Sequence, residues 1–266
     1  MTRVHCVLVA AGSGTRLGAR GPKALVELGG EPLLVHALRG LALAGVLDSV
    51  IVVAPVDRTD HVRGLASATL AEHGYRGGVD VTAGGATRQA SVVAGLAALD
   101  TLANPDDDDV VLVHDAARCL TPTDQVRRVV DAVRAGHGAV VPAVPVTDTL
   151  KRVADPVLGG VEPVVATVDR SELRAVQTPQ GFTIGVLRSA HETGAHRAGD
   201  EALAASDDAG LVEALGGPVA VVAGSTAALK VTTPFDLRVA ELVLADRGGA
   251  ADGAGAVDGA VAAVGD

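Results

Sequence analysis

Apolar residues along the chain fall into two kinds of run, and the two kinds alternate. Short Val-rich runs recur at Val7-Leu8-Val9, at Ser49–Ala54 (SVIVVA), at 79–82, at 110–113 (VVLV) and at 138–144 (GAVVPAV). With no polar alternation, such runs predict strands buried on both faces of a parallel sheet. Between them lie stretches with helical character. Glu31-Pro32 predicts a helix start with proline in the first turn, followed by a buried face of Leu33, Leu34, Ala37, Leu38 and Leu41. Further helices are expected over 57–73, 92–102 and 184–197, and from the Thr121-Pro122-Thr123-Asp124 start with its hydroxyl cap. Ser206-Asp207-Asp208-Ala209-Gly210 predicts the cap of a short helix through Leu215, and Thr233-Pro234-Phe235-Asp236 opens a last helix to about Ala245. Short strands are expected at 219–222 and 229–231. This alternation is the pattern of a doubly wound α/β sheet, whose ligand crevice opens at the carboxyl ends of the strands.

One segment departs from it. Residues 145–176 hold two β-rich arms about a Gly159-Gly160 bend, with prolines and no helical period, and predict a protruding hairpin. An isolated hairpin is marginal in water, so packing against the same arm of a second copy, a twofold homodimer, is expected. Residues 1–246 are expected to form one domain. Residues 247–266, nearly all Gly, Ala, Val and Asp, read as a disordered tail.

Composition narrows the chemistry. The 266 residues include no Trp, one Tyr and two Phe, so the core must be built from Val, Leu, Ala and Ile. A net charge of −10 disfavours a nucleic-acid polymer as partner, since no basic stripe exists to displace counterions. Small phosphorylated ligands need only local cations. No long apolar run predicts a membrane span. With no signal peptide apparent, Cys6 and Cys119 read as buried, reduced thiols and the protein as cytoplasmic. The histidines lack H-x-x-x-H spacing, which disfavours a zinc site.

The candidate chemistry sits in the turns after strands. Ala10-Ala11-Gly12-Ser13-Gly14-Thr15-Arg16 follows the first strand, and Lys23 comes seven residues after Arg16. Exposed backbone N–H groups flanked by two cations suit a polyphosphate. The spacing is G-x-G-x-x-x-G, not the dinucleotide fingerprint, and Lys23 stands between Pro22 and Ala24, so a Walker loop fails as well. Gly84-Gly85-Ala86-Thr87, ahead of Arg88 and Ser91, forms a second glycine turn with Thr87 as a candidate helix cap, and would wall the same crevice. Asp115 ends the 110–113 strand. Such a carboxylate facing a phosphate loop can hold Mg²⁺ or another divalent cation, or else pair with Arg118. The NPDDDD run at 104–109 reads as a solvated loop rather than a metal cluster.

Taken in order, AAGSGTRLG…PK, GGATRQAS, VHDAAR, PVTDTLKR, VDRSELRAVQTPQGF, SDDAGLVE and LKVTTPFDL resemble the 2-C-methyl-D-erythritol 4-phosphate cytidylyltransferase family over residues 4–245. The resemblance implies a Rossmann-like, mostly parallel sheet of the nucleotide-diphospho-sugar transferase type with a dimerising β-arm. It implies transfer of CMP from CTP to the sugar-alcohol phosphate, with Mg²⁺ and release of pyrophosphate. By resemblance, Ala10, Ala11, Gly12, Ser13, Gly14 and Thr15 wrap the nucleotide, and Gly84, Gly85 and Ser91 belong to the turn that reads cytosine. Arg16 and Lys23 become the catalytic cations and Asp115 the metal-side carboxylate. Arg118, Thr178, Ser206 and Lys230 become acceptor contacts, while Thr149 and Arg170 on the arm reach the neighbouring subunit's site. Ala86 stands where the family has an acid and Ala228 where it has Asn, which bears on cytosine reading and on the placing of Lys230. Three rival functions share parts of this pattern: ribitol 5-phosphate cytidylyltransferase, a non-catalytic nucleotide-binding protein, and an NAD-binding oxidoreductase, the last disfavoured by glycine spacing.

Overall fold

The structure, a computed structural model, describes residues 2–18, 21–156, 160–195, 198–199 and 207–254. Strand β1 (Val4–Val9) leads through the glycine loop to a small ladder of β2 (Glu27–Leu28) and β3 (Glu31–Pro32), then to helix α1 (Leu33–Ala44). The chain continues through β4 (Ser49–Ala54), α2 (Thr59–Glu72), β5 (Gly78–Ala83), α3 (Arg88–Ala103), β6 (Val110–Asp115), α4 (Thr123–Arg134) and β7 (Ala139–Pro145). The arm strands β8 (Leu150–Val153) and β9 (Val164–Val168) follow, and β10 (Arg174–Val176) and β11 (Gln180–Thr183) return to the sheet. Helices α5 (Ile184–Thr193) and α6 (Ala209–Ala214), strand β12 (Ala220–Ala223) and helix α7 (Pro234–Ala254) complete the described chain.

The main sheet runs β10-β7-β11-β6-β1-β4-β5, with β12 added on β7. Pairs β1–β4, β1–β6, β4–β5 and β7–β12 are parallel, while β11 lies antiparallel between β6 and β7, and β10 antiparallel to β7. The expected mostly parallel, doubly wound α/β sheet is therefore present. Alternate β1 side chains feed two cores. Cys6 and Leu8 join α1, α2 and α4 on one face, and Val7 joins α3, α5 and α6 on the other. Burial on both faces is why these strands read as unbroken apolar runs. Both cysteines are free and buried, and burial pushes the Cys119 thiol up to about 12.

Several expectations are corrected. The hydroxyl cap of α4 does not form: Pro122 is the N-cap with no side-chain bond, and the Thr121 hydroxyl donates instead to the Arg118 carbonyl. Residues 229–231 are not a strand. A 3-10 turn, Thr226–Ala228, precedes them, and the Val231 amide bonds the Ala117 carbonyl, which ties the segment across the sheet ends rather than along a strand. The acidic loop is not wholly solvated, because Asp109 is buried and accepts from the Arg3 amide and guanidinium. Helix α7 continues to Ala254, into the expected tail; Arg247 donates to the Leu120 carbonyl, and alanine is the best helix former. Gly159, residues 196–197, Ser206 and 255–266 lie outside the described residues. The arm hairpin β8–β9 forms as expected, with Val164 and Val165 each over half exposed. Among the described residues no helix is long and apolar enough to cross a membrane.

Helix α3 approaches the sheet so closely that a Cβ on Gly95 would stand 2.4 Å from Val7 Cγ1 and 2.9 Å from Val53 Cγ2. Alanine there improves helix propensity by about 1 kcal/mol but overpacks the sheet. Gly95→Ala should therefore lower stability by about 1–3 kcal/mol, read from the urea midpoint. A stabilised variant would show that the helix can lift without penalty.

Candidate functional site

Two features of the sequence fold the first loop back on itself. Gly14 takes φ +77°, and a Cβ there would meet Gly21 O at 2.9 Å and Lys23 N at 3.1 Å. The Lys23 amide also donates to the Gly12 carbonyl at 3.0 Å. Lys23, well downstream in sequence, is thus returned beside the loop that follows β1. A 3-10 turn, Thr15–Leu17, buries Leu17 and leaves Arg16 exposed. The second glycine turn presses on the first, since a Cβ on Gly84 would stand 2.5 Å from Ala11 Cβ. Only glycine permits that approach.

These turns and the end of β6 enclose a cleft of ≈ 760 Å³ at the carboxyl ends of the parallel strands. Ala10, Ala11, Gly12, Ser13, Gly14, Thr15, Arg16, Lys23, Gly85, Ser91, Asp115 and Lys230 all line it, together with Arg88. Gly84 lies behind this lining, as the contact that joins the two turns. The Ser91 hydroxyl is engaged within its own turn, donating to the Thr87 carbonyl and accepting from the Gly85 amide at 3.1 Å. Thr87 caps α3 as expected by accepting from the Ala90 amide. A smaller neighbouring cleft of ≈ 210 Å³ is lined by Arg118, Gln177 and Thr178, and it shares Arg88, Asp115 and Lys230 with the first. Thr149 and Arg170 are exposed on the arm and line neither cleft; Arg170 donates to the Thr147 carbonyl.

Asp115 stands where the clefts meet. One oxygen lies 2.7 Å from Lys230 Nζ and the other 3.1 Å from Arg88 Nε. Arg118 is not its partner; that guanidinium bonds the Ala228 and Val176 carbonyls instead. The Ala228 carbonyl, two residues before Lys230, is thereby held to Arg118 whatever side chain stands at that position. Burial opposes charge on Asp115, but Arg88 and Lys230 outweigh it and hold the carboxyl well below the usual range. The Thr178 hydroxyl accepts from the Asp115 amide at 3.0 Å and bonds His114 Nδ1 at 2.8 Å, so it orients the strand end as well as lining the smaller cleft. Burial pushes the His114 imidazole down to about 4, which leaves it neutral.

Sequence reasoning singles out Asp115 but gives no site role to Arg88 or to its other partner, Asp208. Arg88 Nη1 lies 2.7 Å from the buried Asp208, whose second oxygen lies 2.9 Å from His191 Nε2. A signal exists: an arginine at the first position of a helix opposes the macrodipole and calls for nearby carboxylates. Asp208 reads from the sequence as part of a helix cap, but Asp207 accepts from the Gly210 amide there.

Among the described residues, Arg16, Lys23, Arg88 and Lys230 face the larger cleft against the carboxylate of Asp115. Burial, then Lys230 and Arg16, lower the Lys23 ammonium from its ordinary value. Mutual repulsion among these cations is relieved when an anion enters. Among the described residues no group of three or more His, Cys, Asp or Glu could hold a metal ion. Among the described residues lining the larger cleft, Asp115 is the carboxylate, which fits a divalent ion that keeps water and phosphate oxygens as its remaining ligands.

A parallel α/β sheet with a glycine-walled, cation-rich cleft at its strand ends defines a nucleotide-binding protein of the phosphate-clasping kind. Comparison with known proteins narrows the class: the family described as 2-C-methyl-D-erythritol 4-phosphate cytidylyltransferase matches residues 4–246, and the chain belongs to it. It is 51% identical over 242 residues to the protein of that description from Saccharopolyspora erythraea, covering 91% of this chain and 99% of the relative. It is 48% identical over 246 residues to the one from Streptomyces avermitilis, covering 92% and 93%. The crystal structure of the Thermus thermophilus protein superposes with a TM-score of 0.65 at 36% identity, covering 90% of this chain and 97% of that one.

Removing Arg88 would leave Asp115 without one partner and Asp208 without its guanidinium. Arg88→Met should therefore destabilise the protein by about 3–5 kcal/mol in urea unfolding, and adding Asp208→Asn should restore part of that loss. If the double variant were no better than the single one, the pairing would not be what Arg88 contributes.

Proposed function

We propose that the larger cleft binds CTP and the smaller one 2-C-methyl-D-erythritol 4-phosphate. The protein then transfers CMP between them in isoprenoid precursor synthesis and releases pyrophosphate. The observation that carries this reading is the meeting of both clefts at Asp115 and Lys230, with Arg16 and Lys23 at the glycine loop of the larger one. The acceptor's phosphate is already an anionic nucleophile, so no general base is needed. In-line attack on the α-phosphorus requires two repelling anions to be held together and the charge on the equatorial oxygens to be neutralised. In this reading Arg16 and Lys23 serve the triphosphate, and Lys230 and Arg118 the acceptor phosphate. The backbone of the 84–91 turn reads the cytosine edge, since Ala86 offers no polar side chain. A divalent ion, Mg²⁺ in this reading, would be held by Asp115 and by phosphate oxygens, and supplies charge neutralisation when bound.

Loss of the Lys23 ammonium should lower turnover at saturating substrates by about 10²–10³-fold in Lys23→Ala. A purified variant with near-normal turnover would refute the role. A coupled pyrophosphate-release assay with the two candidate acceptors tests the substrate. Methylerythritol phosphate should be strongly preferred, and preference for ribitol 5-phosphate would overturn the choice.

The arm supports a homodimer in this reading. Leu150, Val153, Val164 and Val165 are exposed on its two strands, and an isolated hairpin of this size is weak alone. Thr149 and Arg170 would then serve the neighbouring copy's cleft. Val164→Glu with Val165→Glu should shift the protein to monomer in sedimentation equilibrium and impair turnover. A monomeric wild type with full activity would refute it.

A further inference from the structure

The two cations on Asp115 are held in unlike ways. Arg88 opens helix α3 directly behind the Thr87 cap, and its guanidinium spans both Asp115 and Asp208. Asp208 is itself fully buried and held by His191. Detaching Arg88 from Asp115 would disturb that whole set. Lys230 reaches the same carboxylate from a stretch with no regular secondary structure, just past a 3-10 turn, and its side chain is 40% exposed. Among the described residues Asp115 is its only carboxylate partner. One cation is tethered to two carboxylates through its Nε and Nη1, and the other sits at the tip of a flexible four-carbon stem.

A buried carboxylate cannot stand bare in the free protein, so it needs counter-ions there. A divalent ion arriving at the same oxygen would meet two positive charges already in place. One must leave, and the less tethered one leaves at lower cost. We propose that Lys230 is an exchangeable counter-ion, which pairs with Asp115 in the nucleotide-free protein and would give it up to the divalent ion. Its ammonium then turns to the incoming phosphates, while Arg88 remains as a positioning residue that keeps the carboxylate oriented. The inference rests on the reading of Asp115 as the metal-side carboxylate.

The test is Mn²⁺ binding to the nucleotide-free full-length protein, followed by loss of the free-ion EPR signal, which needs no turnover. Lys230→Gln should bind Mn²⁺ about tenfold more tightly than wild type, the scale of a hydrogen bond to a charged group. Lys23→Gln removes an equal charge from the same cleft without vacating Asp115, and should shift affinity less than about threefold by the screened Coulomb effect alone. Mn²⁺ binding in Lys230→Gln should disappear when Asp115→Asn is added. If Lys230→Gln binds no more tightly than wild type, or if Lys23→Gln tightens as much, the exchange is refuted although Asp115 still binds the ion. If Mn²⁺ binding survives Asp115→Asn, the metal-side reading fails and the exchange fails with it.

Discussion

A carboxylate buried at the end of the central strand β6 governs the architecture around it. Asp115 remains ionised only because Arg88 and Lys230 come to it from two distant parts of the chain. Meeting that requirement draws the start of α3, the segment after β12 and the end of β6 to one point. Asp208 and His191 continue the same hydrogen-bonded network to α5 and the start of α6. The two clefts share this point, so the group that organises the charges also joins the two binding spaces.

Rigidity comes from the other direction, through the glycines. Gly14 lets the backbone of Lys23 lie against the first loop, Gly84 lets the second turn lie against Ala11, and Gly95 lets α3 lie against the sheet. Each removes a side chain where two backbones or a backbone and a core must meet. The cleft wall is therefore made of main chain held at close quarters by a packed core. Cations then project from a frame that does not yield, which is what a site acting by positioning and charge stabilisation needs.

Cation excess and the unlike tethers of the charges have one physical origin. In the proposed reading the cleft receives a polyanion, which its facing cations suit. In its absence the positive charges repel one another, and one of them rests on Asp115. In the proposed reading, arrival of polyanion and divalent ion would exchange the partners of Asp115.

Local sequence signals dictate most of the strands, the winding of the sheet, the arm, the two glycine turns and the carboxylate of the larger cleft. Those signals are Val-rich runs, glycine turns after strands, and a carboxylate at a strand end. The partners of Asp115 cannot be read in the same way. Arg118, three residues on, is the nearest cation in sequence, but its guanidinium is drawn to the Ala228 and Val176 carbonyls. Arg88 and Lys230 reach Asp115 only after the helix, sheet and return segment have packed. Asp109 likewise looks like one more solvated acid until Arg3 folds over it. Pairing between charges far apart along the chain has no period or spacing to betray it, and only burial decides which of many exposed-looking acids must find a cation.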